Sequence, residues 1–407
     1  MTTLTRLSPA APSTAAAPAA ARAAIKLLHS LPTGSLDMRL PDGTLARFGS
    51  AAAGTPNATL RVHDWGVFAA ALRGGDIGFA EAFIDGRWSS PDLPALLRLL
   101  AANREALEAL VYGRWWGSLL QRVRHLLNRN SRRGSRRNIH AHYDIGNAFY
   151  GLWLDRTMNY SSAWFDGDPT RPLAEAQDAK MRRALVECGV QRGERLLEIG
   201  CGWGAVAELA SAEFGARVTG VTLSDEQLAY ARQRLDAQGL RADLRLQDYR
   251  DIDDAPYDAV VSIEMFEAVG RAYWDGWFKT LRDKLRPGGR ACVQSITIRD
   301  DLFERYVRST DFIQQYIFPG GLLPSPSAFR AEAESAGFEV VNELAFGADY
   351  AETLRRWRSD FQSRGEALRG LGFDTRFKRI WEFYLGYCEA AFDTGNTNVM
   401  QFTLLRR

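Results

Sequence analysis

The sequence predicts an α/β protein: a parallel sheet of seven strands joined by crossover helices, with a helical insertion, preceded by a smaller α+β unit. Three observations predict it. The stretch Arg195–Ala207 reads as a short apolar strand that ends in Glu198 and three glycines at alternate positions, Gly200, Gly202 and Gly204. An alanine-rich helix pattern, Ala205 to Phe214, follows directly. From about 175 onward strands and helical patterns alternate regularly, with strands at Arg195–Ile199, Arg217–Thr222, Asp243–Gln247, Ala259–Ile263, Arg290–Ile298, Phe338–Ala345 and Val399–Leu405. Such alternation builds a parallel sheet with right-handed crossovers, and its ligand sits at the carboxyl ends of the strands. Nearer the start, Gly34–Phe48 alternates apolar and polar residues around Asp42-Gly43, which is hairpin chemistry.

The bulk composition sets outer limits. At 407 residues the chain has room for two domains, and 46% hydrophobic with 25% charged residues is the balance of a globular protein. The net charge of +2 leaves any electrostatic message to local clusters, and no apolar run is long enough to span a membrane. Cys188, Cys201, Cys292 and Cys388 lie in separate contexts without metal spacing and read as reduced thiols of a cytoplasmic protein. His29, His63, His125, His140 and His142 form no zinc-like pattern, so no metal site is expected.

Taken in order, residues 1–25 read as a disordered tail, because up to position 22 they are almost all Ala, Pro, Ser and Thr. No basic start followed by an apolar block marks a signal peptide there. Residues 26–125 form the accessory unit: the hairpin, a strand at Ala58–Asp64, and helices at Trp65–Leu72, Asp76–Ile84 and Leu93–Leu110. It holds no catalytic constellation, so packing and substrate access are its expected roles. Residues 126–172 are a basic linker and lid segment, and 173–407 the catalytic domain. Within 114–137, Trp115, Trp116 and a leucine face are interleaved with Arg114, Arg122, Arg124, Arg129, Arg132, Arg133, Arg136 and Arg137, without one acid. That pattern suits a phospholipid membrane surface, where each basic group is worth about 1 kcal/mol. Nucleic acid competes for any arginine run, but the alternation of Trp and Leu with Arg favours lipid. A solvated interdomain linker is the plainer alternative.

The loop after the first catalytic-domain strand is not a dinucleotide fingerprint, since Ala205 stands where that pattern needs its third glycine. The acid before the glycines suits a ligand with a cationic amino-acid end, because Glu198 attracts an ammonium or sulfonium. The pattern E-x-G-x-G-x-G after a strand resembles the first motif of class I S-adenosylmethionine-dependent methyltransferases, which implies their Rossmann-like seven-stranded sheet. Gly200, Gly202 and Trp203 would then line the cofactor. At the second strand end Thr222 and Gln227 offer a hydroxyl and an amide for a ribose diol. After the third strand Asp248 supplies an acceptor for an adenine amino group and Tyr249 a flat ring beside the base.

Three further stretches narrow the resemblance: His140–Phe165, Ser262–Gly270 and Tyr316–Ser325. Together they resemble the cyclopropane-fatty-acyl-phospholipid synthase family, which includes the mycolic acid methyltransferases, over roughly 135–407. The resemblance implies methylene or methyl transfer from S-adenosylmethionine to the double bond of an unsaturated phospholipid acyl chain, at the inner membrane face. It implies that Tyr160 and Ser161 contact the methionine part and that the His140–Asn147 segment lids the cofactor. It also implies a bound bicarbonate as base, held by a Cys, a Glu, a His, a Tyr and a backbone group. By motif these fall on Ser162, Glu267, Gln294, Tyr350 and Ile296, so serine and glutamine replace the family's Cys and His. Gln cannot titrate near neutral pH. Glu264 adds a second carboxylate three residues from Glu267, where better-known synthases carry a small residue. The two acids could share a proton and act as a protein acid–base pair; a salt bridge from Glu264 to an arginine is the alternative. Ring formation is the leading outcome; loss of a different proton would leave a methylene-branched chain instead. Tyr160, Trp164, Tyr350 and the aromatics of 377–387 are available to face a carbocation. C-methylation of a soluble natural product is the rival activity. The resemblance further implies a homodimer, although no stretch specifies an interface.

Overall fold

The computed structural model describes residues 17–50, 52, 54–111 and 145–407. The basic segment 114–137 and His140 and His142 lie outside these residues. Two compact units divide the chain: Met1–Gln121 with Thr375–Thr394, and Arg122–Asp374 with Gly395–Arg407.

Among the described residues the first unit opens with a helix, Ala19–Leu28, most of which overlaps the stretch read as a disordered tail. Alanine is the best helix former, and Ala21, Ala24, Ile25 and Leu28 recur at helical spacing and are buried. Strands β1 (Ser35–Arg39), β2 (Leu45–Gly49), β3 (Asn57–Val62) and β4 (Trp88–Ser89) pair in the order β2-β1-β3-β4. Leu36, Met38, Ala46, Phe48, Ala58, Leu60 and Val62 are buried along them, as strand alternation requires. The helix Gly66–Ile84 breaks at Gly75, whose φ of 61° lies in the left-handed region. Trp88 stacks on Phe79 at 4.2 Å and donates its indole N–H to the Phe79 carbonyl at 2.8 Å. A late helix, Thr375–Asp393, completes this unit although sequence order places it within 173–407. Phe383 lies 5.7 Å from Phe83, and Arg98 pairs with Asp393 at 2.6 Å. Chain order cannot announce where such an apolar face docks.

The second unit carries β5 (Arg195–Ile199), β6 (Arg217–Thr222), β7 (Asp243–Leu246), β8 (Tyr257–Ile263), β9 (Leu285–Ile298), β10 (Phe338–Ala345) and β11 (Thr397–Arg406). They form one seven-stranded sheet in the order β10-β11-β9-β8-β5-β6-β7. All five strands β5 to β9 pair in parallel. β11 runs antiparallel to both neighbours, where alternation alone implied a wholly parallel sheet. β10 and β11 form a hairpin whose connection is the helical insertion, and hairpin strands pair antiparallel. Period-two alternation gives the sheet two apolar faces. Leu196, Ala259, Val261 and Cys292 pack on one side; Leu197, Ile199, Val260, Ala291 and Val293 meet Trp274, Trp277 and Phe278 on the other. Strand order reverses between β5 and β8, and the crevice beyond their carboxyl ends is where such sheets bind ligands. Among the described residues no helix is long and apolar enough to cross a membrane.

Candidate active site

The turn after β5 is fixed by its glycines. Gly200 has φ 86°, and a Cβ there would stand 2.9 Å from Met265 Cγ. Gly202 has φ 49°, but a Cβ there would meet nothing nearer than Gln227 Nε2 at 4.0 Å. The first glycine answers to packing, the second keeps open the side that faces the crevice. Beneath them Glu198 is buried, and burial pushes its carboxyl up to about 8. Its Oε2 has no hydrogen-bond partner among the described residues. A buried, unpaired carboxylate oxygen beside a glycine cradle fits a ligand with an ammonium group.

The other residues that the sequence assigns to the cofactor have partners within the protein. Thr222 donates its hydroxyl to Gln227 Oε1 at 3.0 Å, leaving the amide nitrogen of Gln227 as the atom nearest Gly202. The Trp203 indole donates to Asn147 Oδ1 at 2.6 Å, pinning the short turn Asn147–Tyr150 over the loop. Asp248 accepts from Arg250 at 2.8 and 2.6 Å, so an arginine holds the carboxylate assigned to an adenine amino group. Tyr249 packs against the aromatic core, and burial pushes its hydroxyl up to about 12.

A second group gathers past β8. Glu264 sits in the left-handed region at φ 48°, unusual for a residue with a side chain. Its Oε1 accepts from the Ser162 backbone N–H at 2.8 Å and from Gln294 Nε2 at 2.7 Å. Its Oε2 accepts from the Tyr350 hydroxyl at 2.8 Å. Ser162 contributes its backbone rather than its side chain, because its hydroxyl donates to the Ala163 carbonyl at 2.8 Å. The cationic neighbour of Glu264 is Lys180 rather than an arginine. Lys180 is fully buried, and its ammonium donates to Ser161 Oγ and, at 3.0 Å, to the Ser162 carbonyl. Burial pulls it down to about 8, which leaves it charged at neutral pH.

The two carboxyls are pushed toward different states. Burial raises Glu264, but Lys180 and three donors oppose that rise. Glu267 is pushed up to about 8, first by burial and then by the charge of Glu264. Its Oε1 accepts from the Ile296 N–H, and its Oε2 has no hydrogen-bond partner among the described residues. Both carboxyls are shifted upward; Lys180 and the three donors favour the charged form of Glu264, while Glu267, at about 8, is the carboxylic acid of the two at neutral pH. Tyr160, Trp153 and Tyr350 line up against Trp357 at 5.6, 5.6 and 6.1 Å. Trp164 instead lies under Arg183 at 5.9 Å, and within the aromatics of 377–387 Phe383 packs inside the first unit.

Sequence reasoning missed Lys180, Arg183 and Gln401, which are joined to this group through Ser162 and Gln294. A signal was present: Gln177 and Lys180 fall on the buried face of the helix Leu173–Cys188 beside Ala176, Met181 and Ala184. Among the described residues no three His, Cys, Asp or Glu side chains cluster to hold a metal.

Comparison with known proteins bears on both groups. Residues 130–402 match the family described as mycolic acid cyclopropane synthetase. The chain is 42% identical over 343 residues to the tuberculostearic acid methyltransferase UfaA1 of Mycobacterium tuberculosis, covering 82% of this chain and 80% of that one. It is 32% identical over 370 residues to the cyclopropane-fatty-acyl-phospholipid synthase of Escherichia coli, covering 90% and 93%. The solved cyclopropane synthase MmaA2 from Mycobacterium tuberculosis matches with a TM-score of 0.62 at 30% identity, covering 67% of this chain and 98% of that one. Mycolic acid cyclopropane synthase CmaA1, solved in complex with SAH and CTAB, matches with the same TM-score at 32% identity and the same coverage.

Proposed function

Since this chain belongs to the mycolic acid cyclopropane synthetase family of S-adenosylmethionine-dependent methyltransferases, we propose that it transfers a methyl carbon to the double bond of an unsaturated phospholipid acyl chain, with Glu264 as base. One observation carries the reading: the backbone N–H of Ser162, the Gln294 amide and the Tyr350 hydroxyl all donate to the Glu264 carboxylate. Three of the groups that the family pattern assigns to bicarbonate therefore hold a side chain. A bicarbonate does not fit in the same place.

S-adenosylmethionine, when bound, supplies an electrophilic methyl group on a sulfonium. Glu198 would hold its ammonium, with Gly202 and Gln227 along its open side. The alkene must lie against that methyl with water excluded, because it is a poor nucleophile. As the new C–C bond forms and the S–C bond breaks, positive charge appears on the chain. The rings of Tyr160, Tyr350 and Trp357 offer their faces to it. Glu264 then takes a proton, while the protonated Glu267 does not compete.

Both products lose a proton from the new methyl; a hydride shift before that loss, and not the choice of a different proton, decides between them. Loss from the new methyl with direct closure gives a cyclopropane. If hydride first moves between the two former alkene carbons, loss from the methyl leaves a methylene branch. The departures Ser162, Gln294 and Glu264 meet at one carboxylate, and with the relative named as a methyltransferase they support the branched product as the reading to test. The Trp/Arg segment 114–137 would hold the enzyme reversibly at the anionic inner membrane face.

The test is mass spectrometry of phospholipid fatty acids from a host that lacks its own synthase, with chromatography that separates ring from branch. A gain of one CH2 with a retained double bond is the expected result. With the purified enzyme in carbon-dioxide-free buffer, Glu264→Gly should abolish it, and added bicarbonate should restore part of it by refilling the emptied donors. An active Glu264→Gly without bicarbonate would refute Glu264 as the base.

A further inference from the structure

We propose that Arg183 and Gln401 are positioning residues that, through Gln294, fix the direction of the amide facing Glu264 and so hold Glu264 unprotonated. The proposal rests on Glu264 being the base. Gln401 on β11 stands directly opposite Gln294 on β9. Arg183, on the helix Leu173–Cys188, donates from its guanidinium to Gln401 Oε1 at 2.5 Å. Gln401 Nε2 donates to Gln294 Oε1 at 3.0 Å and to the Lys180 carbonyl at 3.1 Å. Gln294 Nε2 donates to Glu264 Oε1 at 2.7 Å.

The direction of this chain does not depend on telling amide oxygen from nitrogen. A guanidinium only donates, so the Gln401 atom facing it is oxygen. A backbone carbonyl only accepts, so the atom facing the Lys180 carbonyl is nitrogen. Gln294 must then turn its oxygen to Gln401 and its nitrogen to Glu264. Both glutamines are fully buried, so water cannot substitute for a lost partner. With Gln294 inverted, an amide oxygen would face Glu264 and favour the protonated acid. Where the resemblance implies a histidine, two glutamines and an arginine thus supply a donor that does not titrate.

Other charges facing Glu264 are Lys180 from the helix Leu173–Cys188 and Glu267 from its own segment; Tyr350 faces it from the helix Gly347–Ser363. Asp155 and Asp178 act on Lys180, and Glu187 lies 3.4 Å from Arg183. None of them sets the direction of the Gln294 amide.

Gln401→Glu presents acceptors to both neighbours and should invert Gln294. The measurement is an infrared titration of the cofactor-free protein, with Glu264→Gln as the blank that identifies the Glu264 band. Wild-type Glu264 should be ionised at neutral pH, and in Gln401→Glu its midpoint should rise by at least about one pH unit. The acid limb of the rate profile should move with it, giving about tenfold less activity on that limb and recovery at higher pH. An unchanged infrared midpoint overturns the relay, whatever the activity. A raised midpoint with an unmoved rate limb sustains the relay and removes Glu264 as base. If Gln401→Glu does not fold, Gln401→Leu removes the donor the chain places on Gln294 Oε1, frees that amide to turn, and should raise the midpoint in the same direction.

Discussion

Burial pushes the Glu198 carboxyl up to about 8, and under the proposed contact with the cofactor ammonium binding should depend on pH. A ligand ammonium beside it favours the carboxylate, so its pKa falls in the complex. Below about 8 the free protein is protonated there and must release that proton on binding, so affinity should fall as pH falls, approaching tenfold per unit. Calorimetry with S-adenosylhomocysteine across this range checks it; flat affinity in the wild type would refute the assignment, whereas Glu198→Gln should be weak and flat throughout. Glu198, Gly200, Glu264 and Glu267 were legible in the sequence because each lies at a strand end in a compact local pattern. Gln401 was not, because it meets Lys180 across 221 residues and only the sheet order brings them together. Nor does sequence show that Ser162 offers its backbone and not its hydroxyl, which is decided by the nearby Ala163 carbonyl.

The helix Leu173–Cys188 does more than cover the sheet: successive turns carry Gln177, Lys180, Arg183 and Glu187. The first two pin the Ser161–Ser162 backbone, the third starts the amide chain, and the fourth accepts from the Thr403 hydroxyl at 2.9 Å. Periodicity located all seven strands of the catalytic sheet, since alternation is a local signal. It did not give the direction of β11, which follows from hairpin pairing with β10. The β5 turn yields a stability prediction. Gly200→Ala combines a left-handed backbone with a Cβ 2.9 Å from Met265 Cγ, and should cost about 1–3 kcal/mol in urea unfolding. Met265→Ala in the same chain should recover part of that loss, because the two residues touch. Additive losses would remove the contact as the cause.

For the whole molecule, the accessory unit is made of two chain segments, its second being the helix Thr375–Asp393. One cut in the linker therefore does not yield two complete units. A protein beginning at residue 145 should expose the face of Phe383 that packs on Phe83 and Trp88, and should aggregate. Removing 375–394 behind a short linker as well should restore solubility, and gel filtration of the two truncations decides it. Equal solubility of both would show that the late helix does not depend on its first-segment partners. The left-handed backbone of Glu264, finally, costs about 1–2 kcal/mol that a glycine there would not incur. Under the proposed role of Glu264, the base is part of the polypeptide, at an effective concentration no dissolved anion approaches. A synthase that must capture bicarbonate answers to the carbon dioxide tension around it. An enzyme whose base is Glu264 does not, and its rate is set by lipid and cofactor supply even where respired gas is scarce.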